Sequence, residues 1–576
     1  MLALVFRPVL AQSGWPMNQE VLSWKYRLAI YAAHARRFDF FPIWSESMAL
    51  GLGAPAPILY HKLFYLFALP PYLLSGSVKA AMTVTLGGFS VLGVLGASSL
   101  CRFLGVPPRA ALIAAATLAF CNYAYTDWLV RGAFAEYSAM MLLPWLFRWC
   151  AGVLEGEQAR RLARSGALIF PALYLAHAVL FFFAAPLVFA AVVWRLAGGP
   201  DRKAFLRALL VIGGVFALIA APIVVCQLYV VRELEFKEGI AVFSPAESFS
   251  TLTEHLTGGT YIWGDTWNWR SVQLDLPLLV SALAGVTALA LRLRPQVRRS
   301  AERAGARAST AASTAASTAT ATATATELPP LRSYAGCWLA AAYYGFLLSP
   351  ISAPVYDHVP GFSALQFPWR LLAFLSVVSV TLAAVPLLRI ARLGSWDRGS
   401  SFAWMLLLVT YVCSPWMHEI RYEWLSEEQV EGPAPAEIQA AGFEYHPRVE
   451  GVAGRDLVAY ASSLRPAPTA ERWARASYSV ERQGEPHFES GLRSYRVSAE
   501  KPCSVVLPIA YSPFIHVHTA GHAAPLPTHR TASDPRLHVD VSAGVTELEI
   551  QFPTLFSFYW DLLTRGDAVT PPVSSS

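Results

Sequence analysis

Apolar residues run through the first two thirds of the chain in long blocks separated by short polar stretches. A helix needs roughly 20 apolar residues to cross the hydrocarbon of a bilayer. That length predicts spans over 79–101, 109–125, 136–154, 166–195, 205–230, 276–293, 334–350, 369–391 and 401–417. The block 166–195 is too long for one upright crossing and is broken near His177, so it reads as two short or tilted helices meeting there. The block KLFYLFALPPYLLSG, 62–76, holds a double proline and reads as an interfacial or re-entrant segment. MLALVFRPVLAQSG is too short to span, and Arg7 interrupts it; it reads as the outer end of a first helix whose beginning lies upstream.

Cations set the orientation of such a chain, because Lys and Arg concentrate in cytoplasmic loops. Arg102 and Arg109 flank one loop; Arg160, Arg161 and Arg164 sit in the next; Arg195, Arg202, Lys203 and Arg207 follow. Arg292 to Arg307 crowd another, and Arg389, Arg392 and Arg398 the last. The opposite loops carry acids instead, among them Glu233, Glu235, Glu238, Glu247, Glu254 and Asp265. The alternation works only if 166–195 crosses twice and 62–76 does not cross. Two large polar regions, 11–61 and 418–576, then sort to the outer face.

Residues 308–326 are an Ala/Ser/Thr repeat and read as a flexible linker in a cytoplasmic loop. From about 490 the pattern changes to a period of two (RSYRVSA, CSVVLPIAY, FIHVHTA, RLHVDVSA, VTELEIQF), with Gly, Pro and Asp between the runs. That predicts a small antiparallel β-sandwich over 490–576. Residues 418–489 read as its connector.

Composition agrees with burial in lipid. Charged residues make up 15% of the 576, against about 25% in soluble domains. A formal net charge of +6 points to no nucleic-acid partner. The seven cysteines show no CxxC or Cys/His spacing and read as small apolar packing residues.

Four polar constellations fall on the outer side. In QEVLSWKYRLAIYAAHARR the apolar positions Val21, Trp24, Leu28, Tyr31 and Ala35 predict an amphipathic helix lying on the membrane surface. Glu20, Arg27 and His34 share a face beside that stripe, either as a solvated face or as a boundary carboxylate acting as base with a cation nearby. Arg131 and Glu136 sit where a loop enters a helix; they are a cap with an ion pair, or Arg131 is a phosphate ligand. His177, alone in an apolar run, is a packing residue or a functional one. Arg370 opens a helix after Pro368, as a snorkelling anchor or a lipid-phosphate clamp. Tyr60 and Lys62 could line the same entrance.

Several short motifs stand in a fixed order: Glu20-VLS-Trp24-KY-Arg27, Pro42-I-Trp44, GLGAPAPILY ending at Tyr60, RGAFAE over Arg131 to Glu136, Ala176-His177, FPWR over Phe367 to Arg370, and Glu444-Tyr445-His446-Pro447. In that order they resemble the bacterial polytopic GT-C-type glycosyltransferases, especially the YfhO-like and pyruvoyl-tetrahydropterin-synthase-related membrane proteins. The resemblance covers nearly the whole chain. It departs in two places: the family's aspartate is Glu20 here, and its histidine is Trp24.

The resemblance implies an α-helical polytopic membrane protein of about 10–11 spans over 1–417, with an extracytoplasmic β-sandwich-like domain. It would lie in the bacterial inner membrane. It implies transfer of a sugar, with inversion, from a polyprenyl-phosphate donor to an envelope glycan, lipid or polymer. Glu20 would be the base, Arg370 and Arg131 would hold the donor phosphate, and Arg27, Tyr60, Glu136 and His177 would shape the pocket. No ligand spacing indicates a metal, although a divalent ion could bridge Glu20 and the phosphate. A flippase of lipid-linked sugars and a non-catalytic scaffold for envelope polysaccharide assembly share the same spans and outer arginines.

Overall fold

The computed structural model describes residues 5–16, 18, 20–233, 249, 260–262, 269–271, 331–359, 361, 362, 365, 367–392, 404, 405, 407, 408, 424–432, 472–483, 489–512, 515–522, 524–531, 534–552 and 554–565. The predicted span 276–293, the linker 308–326, most of 401–417 and the Glu444–Pro447 motif lie outside them.

Helix α1 is Val21–Ala35, α2 Leu63–Ser75 and α3 Val78–Phe103. Helices α4, Pro108–Ala116, and α5, Phe134–Leu154, follow. Then come α6 (Ala159–Ala176), α7 (Ala178–Gly198), α8 (Arg202–Glu233), α9 (Leu331–Leu348) and α10 (Leu372–Arg392). Among the described residues α3, α5, α7 and Arg202–Val231 of α8 are long and apolar enough to cross a membrane. Phe189 and Trp194 on α7, and Leu210, Leu218 and Leu228 on α8, are more than half exposed. Water tolerates such stripes poorly, whereas hydrocarbon covers them at no cost.

The long helices pack through small residues and a few internal polar bonds. Helices α3 and α5 run parallel: Ser90 and Tyr137 share a hydrogen bond of 2.6 Å, and Trp145 Nε1 donates to the Leu92 carbonyl at 2.9 Å. A Cβ at Gly93 would stand 3.0 Å from Met141 Cβ and 3.2 Å from its Cα, so glycine lets the two helices approach closely here. Helices α6 and α7 meet at His177, whose extended backbone (φ −163°, ψ 98°) is the single residue between them. The expected pair of helices is therefore present. Helix α2 starts beside that junction, where the Lys62 N–H donates to the Leu175 carbonyl at 2.9 Å. It runs back along the first half of α3, with Phe67 on Phe89 at 5.3 Å, and stops at Gly76.

The predicted helix 109–125 is not continuous. Helix α4 stops at Ala116, and tight turns Thr117–Phe120 and Asn122–Tyr125 lead into a π-helical turn, Thr126–Arg131. Steps of four residues keep Tyr123, Asp127 and Arg131 on one side of this segment, and Asn122 off it.

The Arg-rich helix ends form a cluster of their own. Glu157 accepts from Arg148 at 2.8 Å and Arg161 at 2.9 Å, and Glu155 accepts from the Ser333 N–H at 2.8 Å. The other end carries the remaining polar structure. There Trp15–Pro16 pairs with Trp424–Leu425 in a short antiparallel ribbon. Glu431 caps α3 by accepting from the Val78 N–H at 2.7 Å.

Among the described residues eight strands form the C-terminal domain: β1 Arg472–Arg475, β2 Tyr478–Gln483, β3 Leu492–Ala499, β4 Cys503–Ala510, β5 His516–Thr519, β6 Thr528–Thr531, β7 Asp534–Val541 and β8 Gly544–Gln551. Two antiparallel sheets result, ordered β1-β2-β3-β8-β5 and β6-β7-β4. Tyr478 OH accepts from the Val506 N–H at 3.1 Å and ties one sheet to the other. Strands β1 and β2 precede the predicted start at 490 and lie within the stretch read as connector. The charged residues of RWAR and YSVERQ hide the alternation, and those of β1 suit its edge position. Helix α11, Leu555–Arg565, follows the last strand.

Helix α1 departs from its expected place on a membrane surface. None of its residues 23–35 is exposed. Trp24 meets Phe134 edge-on at 4.5 Å, and Tyr31 stacks on Tyr65 at 4.8 Å. On its other side Lys25 Nζ donates to the Gln429 carbonyl, and Tyr26 OH to Ser47 Oγ at 2.7 Å. One apolar stripe suggests one dry face; here the polar face is dry as well, because the C-terminal segments and the 45–47 loop supply partners for it.

Candidate active site

The π-helical turn, the start of α5 and the short turn Pro368–Leu371 converge on a buried polar cluster. Arg131 Nη1 donates to Asp127 Oδ1 at 2.6 Å and to Glu136 Oε2 at 3.0 Å. Tyr123 OH donates to Glu136 Oε1. Arg370 Nε lies 3.4 Å from Glu136 Oε2. The Arg131 guanidinium carbon stands 4.4 Å from the centre of the Trp369 ring, a cation–π contact. A single carboxylate, Glu136, thus holds two guanidiniums and a phenol.

Gly132 makes the turn from π-helix into α5 at φ +71°, where other residues are strained. A Cβ there would stand 2.2 Å from Asn18 Oδ1. The N-terminal segment crosses at this point: Asn18 Nδ2 reaches the Leu129 carbonyl at 3.5 Å, and the Glu20 N–H donates to the Arg131 carbonyl at 3.2 Å. Glu20 therefore sits on the backbone of the cluster. Its side chain is 42% exposed and lies 3.7 Å from Arg27 Nη1. Arg27 in turn covers the Tyr60 ring, its guanidinium carbon 3.4 Å from the centre.

The predicted site residues come together in two groups. Arg131, Glu136 and Arg370 share the cluster, and Glu20, Arg27 and Tyr60 form the neighbouring wall. His177 caps α7 through Nδ1, which accepts from the Leu180 N–H at 3.2 Å, and it stacks on His61 at 4.0 Å. The charge of Arg370 acts on both rings.

Of the two readings of Arg131, the ion pair with Glu136 is present, and buried Asp127 is a second partner. Two placements differ from the sequence reading. Lys62 lines no entrance: Nζ donates to the Pro57, Ile58 and Tyr60 carbonyls, and burial lowers its pKa to about 7. His34 does not join Glu20 and Arg27. It donates from Nδ1 to Asp39 at 2.9 Å and from Nε2 to Glu489 at 3.2 Å.

Asp127 and Tyr123 are the members that sequence reasoning missed. Asp127 stands four residues before Arg131, a spacing that pairs charges on a helix, but the segment read as a loop. Asp127 is wholly buried, and its Oδ2 has no hydrogen-bond partner among the described residues. Burial, and then Glu136, push its carboxyl well above the ordinary range against the pull of Arg131. Two carboxyl groups, Asp127 and Glu136, thus face the two guanidiniums of Arg131 and Arg370. Arg370 is its outward member, with a side chain 17% exposed. Beyond Glu136 and an aromatic contact with Phe367, it has no partner among the described residues.

Two apolar cavities, of about 660 and 420 Å³, lie elsewhere. The first is lined by residues such as Val91, Leu112 and Trp404, the second by Phe147, Trp194 and Cys337. Neither is lined by a residue of the polar cluster.

No family model matches the chain, and no curated protein matches it. Solved structures do. The arabinofuranosyltransferase AftD from Mycobacteria aligns with 71% of this chain and 25% of its own, at 19% identity and a TM-score of 0.44. The Archaeoglobus fulgidus oligosaccharyltransferase AglB, in complex with an inhibitory peptide and a dolichol-phosphate, aligns with 71% of this chain and 55% of its own, at 16% identity and a TM-score of 0.35. Its apo form aligns with 75% and 59%, at 14% identity and a TM-score of 0.40. The chain thus spans between a quarter and about six tenths of these proteins.

Proposed function

We propose that this chain is a membrane glycosyltransferase of the GT-C type. In this reading it moves a sugar from a polyprenyl-phosphate donor to an extracytoplasmic glycan, lipid or polymer. The observation that carries the proposal is the placement of Arg370. Its guanidinium is anchored on one side by Glu136, has no other ion-pair partner among the described residues, and belongs to the cluster whose backbone carries the exposed carboxylate of Glu20. Guanidinium donors match phosphate oxygens in geometry as well as charge.

The chemistry follows from these positions. The acceptor hydroxyl oxygen attacks the anomeric carbon from the side opposite the phosphate, and its proton passes to Glu20. The bond from the anomeric carbon to the phosphate oxygen breaks, and its electron pair stays on the phosphate. Arg370 stabilises the negative charge that grows there. Phosphate leaves without a general acid, so one carboxylate suffices. Displacement from the opposite face inverts the anomeric carbon. Arg131 works at one remove: it fixes Glu136 and Trp369, and these place Arg370. Positive-inside logic puts the Arg-rich helix ends in the cytoplasm, and the cluster and β-domain outside a bacterial inner membrane.

The test is a transfer assay on membranes enriched in the protein, with radiolabelled polyprenyl-phosphate sugars and endogenous acceptors. Label should enter a new product with the wild type and not with Glu20→Gln. Absence of transfer from any donor by folded protein would move the reading to a flippase or a scaffold.

A further inference from the structure

Helix α11 has three faces where a docked surface helix needs two. Leu555 and Phe558 are buried, and Phe558 meets Tyr229 edge-on at 6.0 Å near the end of α8. Ser557, Asp561 and Thr564 form a polar face, with Asp561 Oδ2 3.0 Å from His516 Nε2 of the β-domain. The third face is apolar and open: Phe556, Trp560 and Leu563 are 71%, 65% and 60% exposed. Steps of four and three residues put them on one stripe of a helix.

One apolar stripe suffices to dock a helix on one partner. A second stripe calls for a second non-aqueous neighbour, and the surroundings say which. The open stripe of α8, with Leu218 79% and Leu228 66% exposed, ends one residue before Tyr229, the residue that receives Phe558. Where α8 leaves the hydrocarbon, α11 therefore lies alongside with its own open stripe. An indole on such a stripe suits the boundary, where an amphipathic ring meets both lipid and headgroup.

We propose that α11 is an in-plane membrane anchor. Its Phe556–Trp560–Leu563 face lies in the lipid boundary at the Tyr229 end of α8, and it ties the β-domain to the bilayer. A short amphipathic helix binds membranes weakly by itself; here the folded domain and α8 already hold it in place. The inference rests on the reading of α8 as a membrane span, and is independent of sugar transfer.

The test uses the full chain in lipid nanodiscs, with one nitroxide-labelled cysteine at a time in a background without other reactive cysteines. Collision with oxygen, which concentrates in lipid, is compared with collision with a water-soluble nickel chelate. Phe556→Cys, Trp560→Cys and Leu563→Cys should favour oxygen, as should Leu218→Cys on α8; Ser557→Cys and Thr564→Cys should favour nickel. Nickel collision prevailing at 556, 560 and 563 while Leu218→Cys favours oxygen would overturn the anchor alone. Low collision with both reagents at these three positions would also overturn it, placing protein on the stripe. Nickel collision at Leu218→Cys would overturn the reading of α8 itself.

Discussion

Arg370 Nε stands 3.4 Å from Glu136 Oε2, the same oxygen that accepts a hydrogen bond from Arg131 at 3.0 Å. One buried carboxylate oxygen therefore sets the position of an outward guanidinium and an inward one. Glu136→Gln keeps the shape and removes the charge. Breaking a buried ion pair by removing one partner costs about 3–5 kcal/mol. A large loss of thermal stability in detergent, together with loss of transfer, is the expected outcome. A variant as stable as the wild type would show that the cluster is not held by this charge.

Arg370 separates from that role by its exposure. Arg370→Ala should reduce transfer by about 10²–10³, the usual effect of removing one donor to a developing anion. Its effect on stability should be far smaller than that of Glu136→Gln. Arg370→Lys should recover part of the rate, since it restores the charge without the fork. Steady-state rates and melting temperatures of the two variants check this.

Glu20 is half exposed, so its amide should fold normally. Loss of a general base costs roughly 10²–10⁴ in rate, and Glu20→Gln should fall in that range with an unchanged melting temperature. Full activity in Glu20→Gln would remove Glu20 from the chemistry.

Gly132→Ala should act on geometry alone. Non-glycine residues held in sparsely populated backbone regions cost of order 1–3 kcal/mol, and here the new methyl also meets Asn18. A lower melting temperature is expected, with transfer reduced because the Arg131 backbone supports Glu20. A crystal or cryo-EM structure of the variant would show Asn18 displaced.

The latch between α1 and the β-domain is titratable. Glu489 accepts hydrogen bonds from Ser45 Oγ at 2.6 Å, from the Glu46 and Ser47 N–H groups at 2.9 and 3.0 Å, and from His34. Burial opposes its charge, but the His34 and serine contacts prevail and lower its pKa from 4.5 to about 2. Burial likewise opposes protonation of His34, and Asp39 and Glu489 overcome it, raising the pKa above 6.5. A depressed carboxyl stabilises above its unfolded value of 4.5 and loses this as pH falls toward 2. A raised imidazole stabilises below its unfolded value of 6.5 and loses this as pH rises through the folded value. Docking should be tightest between the two unfolded values. Hydrogen exchange of α1 against pH should show protection falling on both sides, and His34→Gln should flatten the alkaline side.

The long helices were legible because an apolar block of fixed length has one reading in lipid. The junction at His177 was legible for a related reason, since the block was too long for one crossing. Asp127 was not, because its segment read as an outer loop, where the four-residue spacing to Arg131 carries no meaning. The burial of α1 was not legible either: Lys25 and His34 look like a wet face until the Gln429 carbonyl and Glu489 arrive from more than 400 positions away. Tyr60 and Arg27 were read in separate constellations, and their stacking is a property of the fold.

That distance has a bearing on biogenesis. His34 and Glu489 are 455 positions apart, and chains are made at about 5–20 residues per second. The helix that carries Glu20 at its start waits tens of seconds for the domain that encloses it. During that interval its polar face lacks the Glu489 partner, and the catalytic wall is unfinished. Activity should therefore emerge only after the β-domain has been made and has closed over α1. A ribosome-stalled chain ending before Arg472 should insert fully and remain inactive.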